Sequence, residues 1–444
     1  MVTENSQNPA LAGQRNDPSF DNVFQELTWR GLIHVSTDES ALESALAGPA
    51  LTYYAGFDPT AASLHLGHLV QLLTMRRIQL AGHKPLGLVG GATGLIGDPR
   101  ESGERVLNTP DVVNDWVRRL QNQVRHYVSM EGVNGAQLVN NLDWWQGVGA
   151  IEMLRDIGKY FRVGTMVKKD IVSKRLNSDE GISYTEFSYQ ILQGYDFLRL
   201  HQDYGCTLQF GGSDQWGNLT AGTELVRKAA NAQVHALGTP LITNSDGTKL
   251  GKSEGNAIWL DPELCSPYAF YQYWLNTADA DVVDRLKVFT FKTRAEIEQL
   301  AQAVKDEPFK REAQRALAWD VTSLVHGEES TRKVIDAAAA IFGKGEISEI
   351  DEITLQAVAA EVPTAQLSVE ESTPVNLLAE TGLVSGRAEA RRAIDQGGAY
   401  LNNVKVEDAL SPVPDSAWLH GKYLLIRRGK KNLAVVTRAS PSIP

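Results

Sequence analysis

The chain has 444 residues, 43% hydrophobic and 22% charged, with a net charge of −11. That length supports two to four domains and a large buried core, and no apolar run approaches a membrane span. The two cysteines, Cys206 and Cys265, sit in no metal-type spacing, so neither a disulfide scaffold nor bound zinc is expected, and a reducing cytoplasm is. Residues 1–21 are polar, mix Glu4 and Asp17 with Arg15, and lack the apolar core of an export signal; they read as a disordered start. The negative total argues against a nucleic-acid partner until its distribution is read. From Val375 to the end, ten Lys or Arg face six Asp or Glu, a local +4, which leaves −15 on the rest. A basic tail on an acidic body suits local contact with RNA.

From Leu51 to Thr243 short β-type runs alternate with amphipathic helical stretches. Leu51–Ala55 reads as a strand, followed by a loop with Asp58 and Pro59. His68–Leu80 has helical spacing at Leu69, Leu72, Leu73 and Ile78, with Gly82 at its end. Leu86–Val89 is an apolar strand entering Gly90-Gly91, and Pro110 opens a helix over Asp111–Met130. Strands follow at Gln137–Asn140, Cys206–Phe210 and Leu241–Thr243, with helices at Thr185–Leu200 and Leu219–Ala230. This alternation predicts a doubly wound parallel sheet (a Rossmann-like α/β domain, 22–261), with ligands at the carboxyl ends of its strands.

Residues 262–342 are strand-poor and predict an α-helical domain. Residues 343–373 carry seven acidic side chains against Lys344 and read as an acidic connector with room for short helices. The tail, 374–444, predicts a small α+β domain. Its two short helices are Val375–Ala379 and Arg387–Ile394. Its hairpins turn at Asn402-Asn403 and at Gly429–Asn432.

Three features of the α/β domain carry chemistry. Ser63-Leu-His65-Leu-Gly67-His68 stands between a strand and a helix. Its two histidines share a face at the helix N-terminus, where free N–H groups favour an anion, and Gly67 leaves room for a bulky group. A metal pair or two ordinary surface histidines is the plainer alternative, but no third ligand lies nearby. Asp246–Asn256 contains three glycines with Lys249, Lys252 and Ser253, a loop able to fold over a triphosphate or to stand as a solvated surface loop. Tyr189, Gln193 and Asp196 form one polar stripe on an otherwise apolar helix, suited to clamping a small polar substrate or to facing solvent. Gly211-Gly212-Ser213-Asp214-Gln215 offers backbone access and a carboxylate for a ribose hydroxyl. Gly90–Asp98 is a further glycine-rich turn that fits no dinucleotide or P-loop pattern.

Together these segments resemble a known family. His65–His68 is similar to the HIGH signature of class I aminoacyl-tRNA synthetases, and Lys249–Ser253 to their KMSKS signature, in the expected order. Tyr54–Thr60, Gly90–Asp98, Tyr189–Leu200 and Gly211–Asn218 narrow the resemblance to the bacterial tyrosyl enzymes. The tail resembles the ribosomal-protein-S-four type RNA-binding domain. The resemblance runs from Asn22 to about Thr437. It implies that Tyr54 and Asp196 hold the phenolic hydroxyl of L-tyrosine, and that Asp98, Tyr189 and Gln193 bind its ammonium. Gly56, Asp58, His65, His68, Gly212, Asp214 and Lys252 would bind ATP, with Lys249 and Ser253 joining the histidines and Lys252 in catalysis. Magnesium is expected as the ATP counter-ion, with no metal held by the protein. Arg387, Arg391, Arg392, Lys405, Arg427, Arg428, Lys430 and Lys431 would face tRNA(Tyr), in a cytoplasmic homodimer whose helical domain lies on the anticodon side. The alternative for these cations is a merely solvated face. Ala55 stands where many relatives have Cys. The loop after Asp98 departs from the family pattern, so Arg105 is carried over only as a candidate phosphate contact.

The chemistry is self-consistent. A tyrosine carboxylate is ionised at neutral pH, so attack on the α-phosphate needs no general base, and no Ser-His-Asp triad is found. The rivals are a tryptophanyl enzyme, against which Tyr54 with Asp196 argues, and a retired synthetase scaffold serving as an RNA-binding regulator. The complete set His65, His68, Lys249 and Lys252 argues against retirement.

Overall fold

The structure is a computed structural model that describes residues 8–100, 103–248, 250–253, 256–343, 345–429 and 432–439, with the side chains of 252, 253 and 256 set aside. Two compact units emerge: the chain up to Asp261 together with Thr277–Ala313, and Pro262–Asn276 together with Gln314 onward. The stretch expected as one helical domain, 262–342, is thus shared between them. Among the described residues no helix is long and apolar enough to cross a membrane.

The first unit is built on a six-stranded sheet of β1 (Val35–Ser36), β2 (Thr52–Phe57), β3 (Lys84–Val89), β4 (Gln137–Asn140), β5 (Cys206–Gly212) and β6 (His235–Thr239), in the order β1-β6-β5-β2-β3-β4. All pairings are parallel except β1 with β6. The central strands are buried on both faces and therefore read as nearly continuous apolar runs. The two-residue period still sorts their side chains. Tyr53 donates its hydroxyl to the Met75 carbonyl on the helix Leu66–Leu80. Its neighbour Tyr54 packs at 5.4 Å between ring centroids on Phe197, in the helix Tyr184–Tyr204.

Strand β6 was not foreseen, and the strand expected at Leu241–Thr243 lies beyond it. Small residues hide β6: a Cβ at Gly238 would lie 2.6 Å from Val35 Cγ1, so the edge strand β1 requires glycine there. Pro240 then lacks the N–H that would continue the ladder, and Leu241 is exposed. The helix expected over 111–130 spans Pro110–Tyr127.

Helices Asp279–Phe289 and Arg294–Asp306 belong to this unit for a definite reason. Arg30, fully buried, pairs with Glu26 at 2.8 Å and donates to the carbonyls of Lys287, Thr290 and Lys292. Arg77 donates to the Thr290 carbonyl at 2.7 Å.

The second unit carries helices Pro267–Leu275, Glu328–Ile341 and Glu352–Glu361 and a five-stranded sheet. Two β-strands of the first unit's late loop come before it in sequence, β7 (Lys252–Ser253) and β8 (Asn256–Ala257). The five-stranded sheet holds β9 (Thr364–Leu367), β10 (Ala399–Leu401), β11 (Val404–Lys405), β12 (Tyr423–Arg428) and β13 (Asn432–Arg438), ordered β11-β10-β12-β13-β9. Asn402 and Asn403 turn the first hairpin with φ of 44° and 68°, the left-handed pair such a turn demands. The acidic stretch 343–373 therefore contributes a helix that buries Leu355 and Val358, and a strand parallel to β13. Its charges masked those buried positions. Helices Pro374–Glu380 and Arg387–Asp395 cover the sheet, burying Leu377, Leu378 and Ile394 against Leu424, Ile426 and Val436.

Arg30→Met leaves Glu26 buried without its cation and frees three carbonyls. Chemical denaturation is expected to register a loss of about 3–5 kcal/mol.

Candidate active site

In the first sheet the strand order reverses between β2 and β5, the switch point at which a parallel sheet opens a crevice at its carboxyl edge. A cleft of about 470 Å³ lies there. Its walls include Tyr54, Gly56, Asp58, His65, His68, Asp98, Tyr189, Gln193, Asp196, Gly212 and Asp214. Every expected tyrosine- or ATP-binding residue lines it except Lys252, whose side chain is not described.

The histidine end is set by the helix Leu66–Leu80. His65 is its N-cap: His65 Nδ1 accepts from Gly67 N at 3.0 Å, while His68 Nδ1 accepts from His65 N at 3.2 Å. With Nδ1 an acceptor in both residues, a neutral ring at either position carries its proton on Nε2. Burial holds the His68 pKa well below its ordinary value, and neighbouring His65 adds to the effect. The rings stand 4.0 Å apart, and a Cβ at Gly67 would lie 2.9 Å from His65 Cε1.

The late loop meets this end. Leu66 N donates to the Ile258 carbonyl at 3.1 Å, Leu260 N to the Leu64 carbonyl at 2.9 Å, and His65 bridges Trp259. Ile258 N closes back on the Gly251 carbonyl at 2.8 Å. Gly251, at φ 76°, sits against Leu66, and Leu250, Gly251 and Ala257 line the cleft. Strand pairing of Lys252 with Ala257 and Ser253 with Asn256 places the backbone of this segment beside the histidines. Lys249 lies outside the described residues.

The other end is lined by buried polar groups. Asp196 accepts three N–H donors, from Asn141 (2.9 Å), Trp144 (2.9 Å) and Trp145 (3.0 Å). Burial nevertheless pushes its pKa up to about 7, against those hydrogen bonds and with help from the charge of Asp58. Tyr54 is 1% exposed, and among the described residues no partner reaches its hydroxyl. Asp58 accepts from Tyr189 Oη at 2.6 Å and Thr93 Oγ1 at 2.7 Å. Asp98 accepts from Gln215 at 2.9 Å and Asn218 at 3.1 Å. Burial raises the pKa of both carboxyls.

The glycine-rich turn after β3 serves this carboxylate cluster. A Cβ at Gly90 would lie 2.1 Å from Asp58 Oδ1, and one at Gly91 would lie 2.4 Å from Asn140 Oδ1. Arg105 lines the cleft but donates its Nε to the Asp98 carbonyl at 2.9 Å. Sequence reading passed over Asn141, Trp144 and Trp145, and gave no role of their own to Thr93, Gln215 and Asn218 within the segments it singled out. The available signal was the run Asn140–Trp145 directly after a strand end. Among the described residues no group of three or more His, Cys, Asp or Glu is arranged to hold a metal.

In the second unit Arg387, Arg391 and Arg392 are exposed on one short helix, and Lys405 is exposed on β11. Register aligns Lys405, Tyr400 and Arg427 across three strands, and the Arg427 guanidinium lies 5.0 Å from the Tyr400 ring centre. Arg428 is instead committed to Glu389 at 2.8 Å and to the Leu383 carbonyl. Lys430 and Lys431 lie outside the described residues.

Comparison with known proteins accords with this geometry. Residues 47–343 match the family model of class I tRNA synthetases (W and Y), and residues 354–436 match that of the tyrosine–tRNA ligase SYY-like C-terminal domain. A tyrosine–tRNA ligase of Leifsonia xyli subsp. xyli is 61% identical over 431 residues, 97% of each chain. One of Streptomyces avermitilis is 59% identical over 418 residues, covering 94% of this chain and 98% of the relative. Among solved structures, a C-terminally truncated mitochondrial tyrosyl-tRNA synthetase of Aspergillus nidulans superposes with a TM-score of 0.65 at 30% identity, over 71% of this chain and 93% of its own. The chain belongs to the class I tRNA synthetases, in the family that serves tryptophan and tyrosine.

Proposed function

We propose that this chain is the tyrosine-specific member of that family: it activates L-tyrosine with ATP and passes the tyrosyl group to tRNA(Tyr). The observation that carries the tyrosine assignment is the Tyr54 hydroxyl, buried without a partner in the same cleft wall as Asp196. A phenol supplies what these two groups lack, an O–H for the carboxylate and an oxygen for the hydroxyl. Phenylalanine would leave the Tyr54 hydroxyl buried and unpaired, at about 1–3 kcal/mol, and would bring no O–H to the carboxylate. The near-full-length relatives named tyrosine–tRNA ligase support the same choice over tryptophan.

In the first step a tyrosine carboxylate oxygen bonds to the α-phosphorus of ATP. The bond to the bridging oxygen breaks, and pyrophosphate leaves with the electron pair. Asp98, Tyr189 and Gln193 are assigned to the substrate ammonium, with Asp58 held beside them by Tyr189. Gly56, Gly212 and Asp214 are assigned to the nucleotide. The Nε2–H groups of His65 and His68 donate to phosphate oxygens without changing protonation state. Lys249, Lys252 and Ser253 close over the leaving group, where charge grows. ATP arrives with magnesium as its counter-ion. In the second step a hydroxyl at the tRNA 3′ end attacks the adenylate carbonyl and AMP departs. Arg387, Arg391, Arg392, Lys405 and Arg427 are assigned to tRNA phosphates, with the Tyr400 face beside Arg427 available for stacking. Arg428 needs release from Glu389 to join them. A cytoplasmic homodimer fits the exposed apolar side chains Ile151, Leu154, Val163, Leu176 and Tyr184, which cluster in one stretch of sequence.

ATP–pyrophosphate exchange is expected to depend on L-tyrosine and to be silent with the other amino acids; exchange driven by tryptophan alone would reverse the assignment. Lys252→Ala is expected to slow adenylate formation by about 100-fold or more while tyrosine binding survives.

Asp196 also leaves a signature in stability. Its folded pKa lies above the unfolded carboxylate value, so between pH 4 and 7 the folded state binds more protons and its stability falls as pH rises. Asp196→Asn is expected to flatten that decline in urea melts taken across this range.

A further inference from the structure

Lys169 takes no part in the assignments above, yet it stands at the head of an ordered chain of hydrogen bonds. Half-buried at the start of the helix Asp170–Leu176, it donates from Nζ to Asn218 Oδ1 at 2.7 Å. Asn218 Nδ2 donates to Asp98 Oδ1 at 3.1 Å and to Gln215 Oε1 at 2.9 Å. Gln215 Nε2 donates to Asp98 Oδ2 at 2.9 Å. An ammonium has donors only, so it claims the oxygen of Asn218 and turns its NH2 outward. That NH2 claims the oxygen of Gln215 in turn. Both amides then offer Asp98 nothing but N–H.

The consequence concerns the protonation of Asp98. Burial favours its neutral form, but a protonated carboxyl needs an acceptor, and neither amide can present one while Lys169 holds the far end. We propose that Lys169 is a positioning residue which, through Asn218 and Gln215, keeps Asp98 an oriented, acceptor-only carboxylate ready for the amino group of the substrate. The inference rests on the reading that Asp98 meets that ammonium. The link is reciprocal: burial pulls the Lys169 pKa down to about 7, and the charge of Asp98 opposes that fall.

Gly217 supplies an independent handle. A Cβ there would lie 2.9 Å from Lys169 Cε and 3.3 Å from Nζ, so alanine displaces the end of the lysine. Gly217 opens the helix Trp216–Ala230, where alanine favours helix over glycine by up to about 1 kcal/mol, so the fold is not weakened.

The test uses the full-length protein at neutral pH and two tyrosine fragments as calorimetric probes. Tyramine keeps the ammonium and lacks the carboxylate; 3-(4-hydroxyphenyl)propionate keeps the carboxylate and lacks the ammonium. Lys169→Met is expected to weaken tyramine about tenfold, the scale of one charge-assisted hydrogen bond, and to leave hydroxyphenylpropionate within about twofold. Gly217→Ala is expected to do the same, and the double variant to add nothing further. Undiminished tyramine binding in both single variants, or equal weakening of both probes, overturns the proposal. Asp98→Asn separates the layers. If it weakens tyramine while Lys169→Met does not, the relay fails and the reading of Asp98 stands. If it leaves tyramine unchanged, that reading fails and takes the relay with it.

Discussion

Three carboxyl groups, Asp58, Asp98 and Asp196, share one buried cavity with little cationic charge of their own. In a low-dielectric setting that is costly unless each is hydrogen-bonded, and each is: Asp58 by a phenol and a hydroxyl, Asp98 by two amides, Asp196 by an amide and two indoles. Neutral donors fix where the carboxyls point without cancelling their demand for a cation. The missing charge is of the kind that an α-ammonium brings. The cleft is thereby polarised, with Asp58, Asp98 and Asp196 toward one end, and the two histidines and the late loop toward the other. On the proposed reading, two reactants that are each negative where they must touch are held by opposite kinds of group, and catalysis rests on placement and on charge stabilisation at phosphorus.

The fold supplies this polarity through its topology. Because the sheet reverses order between β2 and β5, the ends of these neighbouring strands diverge and leave room for a ligand between them. The helix Leu66–Leu80 starts at the cleft, its first N–H groups taken up by the Ile258 carbonyl and by His65, which fixes the two histidine rings there. Segment 258–260, almost two hundred residues later in sequence, is laced to residues 64–66 by backbone hydrogen bonds. That lacing makes one site of two remote motifs.

Much of this was legible in the residues themselves. Strand–helix alternation predicted the parallel sheet, the paired glycines and carboxylates marked the strand ends, and the stripe Tyr189, Gln193 and Asp196, whose spacing suited either a substrate or solvent, faces the cleft. What escaped did so for physical reasons. Strand β6 carries little apolar signal because Gly238 must admit β1. The acidic connector was given room for short helices, but its charges masked the buried face of helix Glu352–Glu361, and β9 is four residues long and buries none of them fully. Asn141, Trp144 and Trp145 act through Asp196, and nothing in sequence spacing ties residues 51 to 55 positions apart. Gly90 and Gly91 read as part of a glycine-rich turn that fits no phosphate-binding pattern, and their lack of side chains gives Asp58 and Asn140 their room.

The central claim is that the cavity's carboxyls, Asp196 with its pKa pushed up to about 7 by burial, wait for the ammonium and phenol that arrive with the substrate. Proton exchange on binding tests it directly. Calorimetric titration of L-tyrosine near pH 6 in buffers of differing ionisation enthalpy is expected to reveal net proton release, as the ammonium and phenol stabilise the ionised forms. Binding heats independent of buffer, with no proton released, would contradict the account.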